Sequence, residues 1–258
     1  MSYLIDSHCH LHDRQFFSAE QAEEMLKRAE EKNVRRVVCI GTDPEDSLAA
    51  CRFANEHPEV YWTYGIHPEE VGRYMTRGLP QDTAKLVAIG EVGLDYHSEG
   101  YNREAQIRLF EEMLQLALDN DLPLSFHIRN AFADFFPVVA NFPGVRGVVH
   151  SFTDSKKTLR RILETTNFYV GVNGLATYST LPTPPLERIL LETDAPFLTP
   201  APFRDIINEP GYIREIAQWL SDKLGVEIEK IERETTQNAT RLYRLPDTEP
   251  VAGTEAGE

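Results

Sequence analysis

Two histidines stand two positions apart near the start of the chain. His8 and His10 occur in the stretch IDSHCHLHD, whose first residues are typical of a buried β-strand. Because side chains alternate along a strand, both imidazoles would point to one side and Cys9 to the other. Two imidazoles that point the same way can bind one divalent metal ion, although such a pair also occurs for purely structural reasons.

Two carboxylates occupy apolar runs. Glu91 lies within IGEVGLD, and Asp194 ends ILLETD. An ionised carboxylate in apolar surroundings is unfavourable unless a cation accompanies it. For each residue that cation could be a metal ion or a positively charged side chain in a buried salt bridge.

Two further histidines also end apolar runs. His127 lies in LSFHIR and His150 in VVHSF. Taken singly, each suits a core histidine bonded to a backbone carbonyl. Together with His8, His10 and the two acids, they predict a binuclear centre for divalent metal ions. Four imidazoles and two carboxylates suit Zn²⁺, Mn²⁺ or Fe²⁺ better than Mg²⁺, which prefers oxygen ligands.

The elements that would position these side chains alternate along the chain. Apolar runs predict strands at residues 3–10, 35–41, 61–67, 86–95, 122–129, 146–152, 168–174 and 188–194. Amphipathic stretches such as residues 18–32, residues 102–120 and the segment after Asp154 predict helices between them, with eight alternations expected. This pattern predicts an α/β fold, a (β/α)8 TIM barrel, with an open doubly wound sheet as the alternative. In a barrel the strand ends converge on one face, where the candidate ligands would meet.

One link departs from the alternation. Residues 175–187, LATYSTLPTPPLE, contain Pro182, Pro184 and Pro185, which fix φ and remove amide donors. We therefore expect a shortened, extended, Pro-rich crossover between strands 7 and 8, and then helices over residues 210–224 and 227–243. Residues 1–245 would form a single domain. Residues 246–258 lack apolar periodicity and are predicted to be a disordered acidic tail.

Composition limits the class of protein. The chain has 258 residues, 41% of them hydrophobic, and a formal net charge of −15. No stretch reaches the ~18 apolar residues of a membrane span, and the N-terminus does not read as a signal peptide, so we expect a cytoplasmic location. The three cysteines form no C-x-x-C pair, which argues against a disulfide framework or a zinc ribbon. The negative charge excludes a broad basic surface for duplex DNA.

The chain resembles the TatD family of metal-dependent deoxyribonucleases, within the amidohydrolase-like TIM barrels. The matching stretches, in the order of the family and over nearly the whole chain, are IDSHCHLHD, GIHPEEV, VAIGEVGLDYH, LPLSFHIRNA, GVVHSFTDS, LLETDAPFLTP and NEPGYI. Asn130, Asp154 and Asp205 depart from the pattern of the family, as does the short Pro-rich link. These departures surround the expected substrate rim and leave the candidate ligands unchanged.

The resemblance implies a centre of two divalent ions, Zn²⁺, Mn²⁺ or Mg²⁺. By position, His8, His10 and Asp194 would hold one ion, His127 and His150 would hold the other, and Glu91 would bridge them. Asp194 would also take the proton of the attacking water. Glu192, two residues earlier on the same strand face, would assist it or would instead orient a histidine.

The resemblance also implies a substrate. Substrate contacts would come from His67, Arg129, Ser151, Arg204 and Asn208, with a surface salt bridge as the alternative for Arg129 and for Arg204. The implied activity is that of a 3′ to 5′ exodeoxyribonuclease on single strands or frayed DNA ends, with no membrane and no obligate protein partner. A small-molecule amidohydrolase with the same centre and a non-catalytic binding barrel are the alternatives. Many amidohydrolases bridge their metals with a carboxylated lysine, whereas this chain has Glu91, which favours the nuclease.

Overall fold

Eight parallel strands form the centre of the molecule. The computed structural model describes residues 3–76 and 78–246, so all of the predicted acidic tail beyond Pro246 lies outside the described residues. The strands are β1 (Leu4–Cys9), β2 (Val34–Cys39), β3 (Val60–Tyr64), β4 (Leu86–Asp95), β5 (Leu124–Arg129), β6 (Gly147–Val149), β7 (Tyr169–Val172) and β8 (Ile189–Leu191). Each pairs in parallel with the next, in the order β1 to β8. This sequential order confirms the predicted barrel, because a doubly wound sheet would reverse its strand order.

The first and last strands meet where the barrel closes. The backbone N–H of Asp194 donates to the carbonyl of His8, and the backbone N–H of His10 donates to the carbonyl of Ala195; both bonds are 2.8 Å long. Below them, the Asp6 carboxylate accepts bonds from the backbone N–H of Thr193 at 2.9 Å and from its hydroxyl at 2.5 Å. These bonds join the two edges at the level of the candidate ligands.

Seven helices surround the strands in the described residues. They are α1 (Ala19–Glu31), α2 (Pro44–Glu56), α3 (Arg103–Asp119), α4 (Phe132–Ala140), α5 (Lys156–Thr165), α6 (Ile213–Leu224) and α7 (Ile228–Tyr243). Local sequence explains where they begin: Ser18 and Gln21 form a capping box at α1, and Asp43 caps α2 ahead of Pro44. Across residues 3–76 and 78–246, no helix combines the length and the apolar character that crossing a membrane requires.

Strand and helix do not alternate eight times. The link from β7 to β8 holds only the 3₁₀ turns Gly174–Thr177 and Leu186–Arg188, which confirms the shortened crossover. The prediction of a helix between β3 and β4 is wrong, because the described part of that link contains only the 3₁₀ turn Pro68–Glu70. Gly72, Gly78 and Pro80 interrupt this link, and both glycines have left-handed backbone angles that end a helix.

Apolar side chains fill the space on both sides of the sheet. One buried cluster, on the inner side, contains Ile5 of β1, Val38 of β2, Val148 of β6 and Leu190 of β8. The larger cluster lies between the sheet and the helices, and it includes Cys9, as strand alternation predicts. Apolar side chains thus enclose the sheet on both faces, and a few buried polar side chains lie among them.

Candidate metal centre

The six side chains predicted as metal ligands converge at the carboxyl ends of five strands. Each lies on its strand or within three residues of its end, so the barrel brings together groups that are far apart in the sequence. The six are His8 and His10 from β1, Glu91 from β4, His127 from β5, His150 after β6 and Asp194 after β8.

One half of the cluster is centred on the Asp194 carboxylate. Its Oδ1 lies 3.4 Å from Nε2 of His8 and 3.5 Å from Nε2 of His10. The same His8 nitrogen lies 3.7 Å from Oε2 of Glu91. Two imidazoles and two carboxylates therefore face one small volume.

The other half is centred on the second oxygen of Glu91. Its Oε1 lies 2.7 Å from Nδ1 of His127 and 3.8 Å from Nε2 of His150. That His150 nitrogen is also 3.8 Å from Oδ1 of Asp194. Glu91 thus presents one oxygen to each half of the cluster.

The donor set fits a divalent cation. Nε2 of His8 is buried without a hydrogen-bond partner, and an unpartnered buried polar atom is unfavourable unless something binds it. In three groups the ligand atoms lie within 4.8 Å of one another: His8 with His10 and Glu91, His67 with Glu91 and His127, and His8 with His150 and Glu192. Nitrogen and carboxylate ligands at such separations suit Zn²⁺ and similar ions.

The electrostatics favour the ligating state of two of the six groups, Glu91 and His8. Burial raises the pKa of Glu91, but the hydrogen bond and charge of His127 and the charge of His150 outweigh it and hold that pKa well below its ordinary value. Burial, together with the positive charge of His150, holds the pKa of His8 well below 6.5. Glu91 is therefore an anion and His8 is neutral, with a lone pair available to a metal. Burial lowers the pKa values of His127 and His150, but the neighbouring carboxylates outweigh it and raise them to about 9 and about 10, so a metal ion would have to displace the protons of these two rings.

Comparison with known proteins identifies the family. The model of the family described as "TatD related DNase" matches residues 5–244 of this chain. The chain belongs to the TatD family. Similar to it are the uncharacterised metal-dependent hydrolase YabD of Bacillus subtilis (strain 168), 33% identical over 94% of this chain and 99% of the relative, and the 3′-5′ ssDNA/RNA exonuclease TatD of Erwinia billingiae (strain Eb661), 30% identical over 94% and 100%.

Solved structures agree with the barrel. The TatD homologue YJJV of Escherichia coli K12 has a TM-score of 0.83 and 26% identity over 94% of this chain and 98% of that one. A hydrolase of the TatD family from Entamoeba histolytica has a TM-score of 0.85 at 22% identity over the same shares, which shows the shared fold. This TatD-family chain is a metal-dependent hydrolase.

Two carboxylates lie beside the outer nitrogens of His127 and His150. Oδ2 of Asp95 lies 2.9 Å from Nε2 of His127, and Oε1 of Glu192 lies 3.1 Å from Nδ1 of His150. Glu192 is fully buried behind His150, where a Cβ atom on Gly171 would come within 2.4 Å of its Oε2. Such carboxylates fix the tautomer and the orientation of a ligating histidine.

Asp95 was missed by reasoning from the sequence. It ends the same apolar run that contains Glu91, in EVGLD, and this placement was the available signal. The structure buries Asp95 and turns one of its oxygens to the backbone N–H of His97, 2.8 Å away, and the other to His127. A predicted strand end therefore supplied two functional acids rather than one.

Three of the five residues expected to contact substrate line the cavity above the ligands. They are His67, Arg129 and Ser151. Nε2 of His67 also lies 3.8 Å from Oε1 of Glu91, so this ring stands close enough to contribute to the metal centre itself. Ser151 has a left-handed backbone (φ 45°), and Asp194 shares this conformation (φ 59°). Such angles are unfavourable outside glycine, and here they occur where the chain turns into the cavity.

The other two residues lie elsewhere. The guanidinium of Arg204 stacks over the ring of Tyr178, 4.1 Å from its centroid. Asn208 is fully buried, and its amide donates to the carbonyls of Thr193 at 2.8 Å and Phe197 at 2.6 Å. Asn208 therefore holds the loop that carries Asp194 instead of facing the cavity.

The cavity has a volume of about 730 Å³, within the roughly 300–1,000 Å³ of small-molecule sites. Its described lining contains Arg129 as its one arginine or lysine. Phe16 and Phe197 stand at its edge. Its acids are Asp13, Glu69, Glu70, Glu91, Asp95 and Asp194. Cations in the cavity would offset this negative charge locally.

Proposed function

We propose that this TatD-family chain is a 3′-5′ exonuclease that hydrolyses phosphodiester bonds at the ends of single-stranded or frayed DNA. The observation that carries the proposal is the position of Glu91, whose two oxygens face the two halves of the histidine cluster. A carboxylate placed in this way can hold two cations a few ångströms apart, as two-metal phosphodiesterases require. A relative of similar length carries the name 3′-5′ ssDNA/RNA exonuclease TatD.

The proposal assigns His8, His10 and Asp194 to one divalent ion and His127 and His150 to the other, with Glu91 between them. Zn²⁺, Mn²⁺ and Mg²⁺ are the candidate ions. When bound, the ions supply positive charge at the phosphoryl and leaving oxygens and lower the pKa of water.

The residues of the chain supply the remaining steps. The Asp194 carboxylate, which faces the cavity, accepts the proton of the attacking water. The Arg129 guanidinium binds a phosphate oxygen. The Ser151 hydroxyl accepts a bond from the Asn173 amide at 2.9 Å, which leaves its own hydrogen to donate to phosphate.

Charge favours a strand end over a duplex. Apart from the acids of the candidate centre, the cavity is lined by three carboxylates, Asp13, Glu69 and Glu70, against one arginine, so phosphates away from the metals would be repelled. A duplex presents two rows of phosphates, whereas a strand end brings few phosphates besides the scissile one. The acidic rim is therefore compatible with a substrate that enters by its terminus.

The test is hydrolysis of labelled oligonucleotides by protein reconstituted with Mn²⁺, Mg²⁺ or Zn²⁺. We expect single nucleotides released from the 3′ end of single strands, and loss of this activity in Glu91→Gln. Labelled DNA that stays intact with every ion would contradict the proposal. Hydrolysis of lactones or cyclic amides by the same preparation would then assign the centre to a small-molecule amidohydrolase.

A further inference from the structure

Two phenylalanines stand at the mouth of the cavity with much of their rings in solvent. Phe16 is 44% exposed and Phe197 is 46% exposed, and both line the cavity. Their rings meet edge to face with centroids 5.3 Å apart. Phe197 also contacts the His10 ring, with a centroid separation of 6.2 Å, so the pair begins beside the metal centre and extends outward.

Both rings are held in place by the surrounding chain. Phe16 is followed by Phe17, which is buried and anchors the loop between β1 and α1. Phe197 donates its backbone N–H to the carbonyl of Asp194 at 2.8 Å, and its own carbonyl accepts the Asn208 amide. The fold thus keeps two exposed apolar rings in fixed positions where burial does not explain them.

The rest of the cavity offers a polyanion little to bind. Arg129 is the one arginine or lysine among its described lining residues, so few permanently charged groups besides the metals can bind phosphate. Aromatic rings bind single strands by stacking with bases, which requires no positive charge and depends little on the base. An exposed aromatic pair beside an acidic cavity therefore suits an unpaired base more than a phosphate.

We propose that Phe16 and Phe197 form a platform on which a nucleobase of the terminal nucleotides stacks while its phosphodiester lies at the metal centre. This rests on the proposed function, because it names how that site selects its substrate. A base within a duplex is already stacked and paired on both sides, so its face is not available. The platform therefore selects single strands and frayed ends.

Steady-state kinetics on two single-stranded DNA substrates test the platform: one has normal bases in its 3′-terminal region, and the other has abasic sites there. For the wild-type protein with Mn²⁺, we expect removal of the bases to raise KM about tenfold, within the roughly 5- to 150-fold that stacking on one aromatic ring contributes. Phe16→Leu should raise KM on the normal strand by a similar factor, with most of the change in KM rather than kcat. On the abasic strand, Phe16→Leu and wild type should have the same KM within about twofold.

Tyr101→Leu is the matched control. Tyr101 is 42% exposed and stacks on Tyr96 at 4.5 Å, but it does not line the cavity, so its removal should leave KM unchanged. Phe16→Tyr keeps a ring and should restore the wild-type KM, which separates loss of stacking from loss of folding. An unchanged KM in Phe16→Leu, or an abasic penalty that persists in that variant, would overturn the platform.

A binding measurement separates the platform from the proposed activity. Fluorescence anisotropy reports the affinity of a labelled single strand for Mn²⁺-loaded protein whether or not it is cut. If wild type binds the strand without cutting it and Phe16→Leu weakens binding about tenfold, the nuclease proposal fails and the platform stands. If wild type cuts the strand and Phe16→Leu neither weakens binding nor raises KM, the platform fails and the nuclease proposal stands.

Discussion

Replacement of Asp95 by asparagine tests whether a buried carboxylate controls metal affinity through His127. Asp95 is 2% exposed, its Oδ2 lies 2.9 Å from Nε2 of His127, and its Oδ1 accepts the backbone N–H of His97. Asparagine has the same shape, and its carbonyl oxygen can keep the bond from His97. Its amide nitrogen then faces the imidazole nitrogen, so the bond to His127 loses both its charge and its acceptor.

The magnitude follows from the lost bond. A hydrogen bond to a charged group contributes about 1.5–3 kcal/mol, and each 1.36 kcal/mol corresponds to about a tenfold change in an equilibrium constant. We therefore expect Asp95→Asn to raise the Kd for the ion held by His127 by about 10- to 100-fold, as for other carboxylates that orient a ligating histidine. The other ion should be affected less, because His8 and His10 do not contact Asp95.

Competition with a chromophoric chelator at fixed pH measures this Kd. Asp134→Asn is the control, because the Asp134 carboxylate also accepts hydrogen bonds on both oxygens, from Arg103 at 2.6 Å, but lies outside the cavity lining. The control should bind metal as wild type does. A folded Asp95→Asn protein with the Kd of wild type would refute the assignment of Asp95 as a partner of the metal centre.

Three further predictions concern residues around the site. Gly171→Ala should weaken metal binding about tenfold, since its Cβ atom would displace the Glu192 carboxylate that it meets at 2.4 Å; a chelator titration measures this. Asn208→Ala leaves two buried carbonyls without their donor and should lower the free energy of unfolding by about 2–4 kcal/mol, measured by denaturant titration. Burial raises the pKa of Asp46, but its bond to His12 and other bonds outweigh this and lower it from 3.8 to about 2. A carboxyl group whose pKa is lowered on folding stabilises the folded state at pH values above the pKa that it has in the unfolded chain. The stability difference between wild type and Asp46→Asn should thus be largest above pH 4 and should shrink as the pH falls toward 2.

Each of these three predictions can be contradicted by a specific result. Gly211→Ala is the control for the glycine, since the nearest atom to its Cβ would be 3.3 Å away, and equal metal affinity in both alanine variants would refute the role of Gly171. For Asn208, an unchanged unfolding midpoint would show that water or other groups satisfy the carbonyls. For Asp46, a stability difference that is constant from pH 2 to pH 5 would show that its pKa is not lowered on folding.

The candidate ligands could be predicted from the sequence because of the geometry of a barrel. An acid or histidine at the end of an apolar run must lie at the carboxyl face of the barrel, so His8, Glu91, His127 and Asp194 meet without any knowledge of loops. Strand positions follow equally from the apolar runs. The missing helix between β3 and β4 shows the limit of this reasoning, since counting alternations assumes that every link is long and regular.

Loop paths determined what could not be predicted. Asn208 and Ser151 are both polar residues in matching stretches, yet the amide of Asn208 turns inward to two carbonyls whereas Ser151 lines the cavity. Phe16 and Phe17 are adjacent and chemically identical, but one is buried and the other is exposed at the cavity. Such differences depend on a few backbone angles per loop, and apolar periodicity carries no information about them.

The contact between β1 and β8 implies that metal binding would also affect the stability of the fold and its resistance to proteolysis. His8 lies in the first strand and His10 directly after it, whereas Asp194 follows the last strand, so an ion bound between them would tie the two edges of the barrel together. An ion at 100 times its Kd would add about 2.7 kcal/mol to the free energy of unfolding. During synthesis this link could form only after Asp194 has been added, so we expect a chain that ends before Asp194 to be cleaved by proteases faster than the metal-loaded protein.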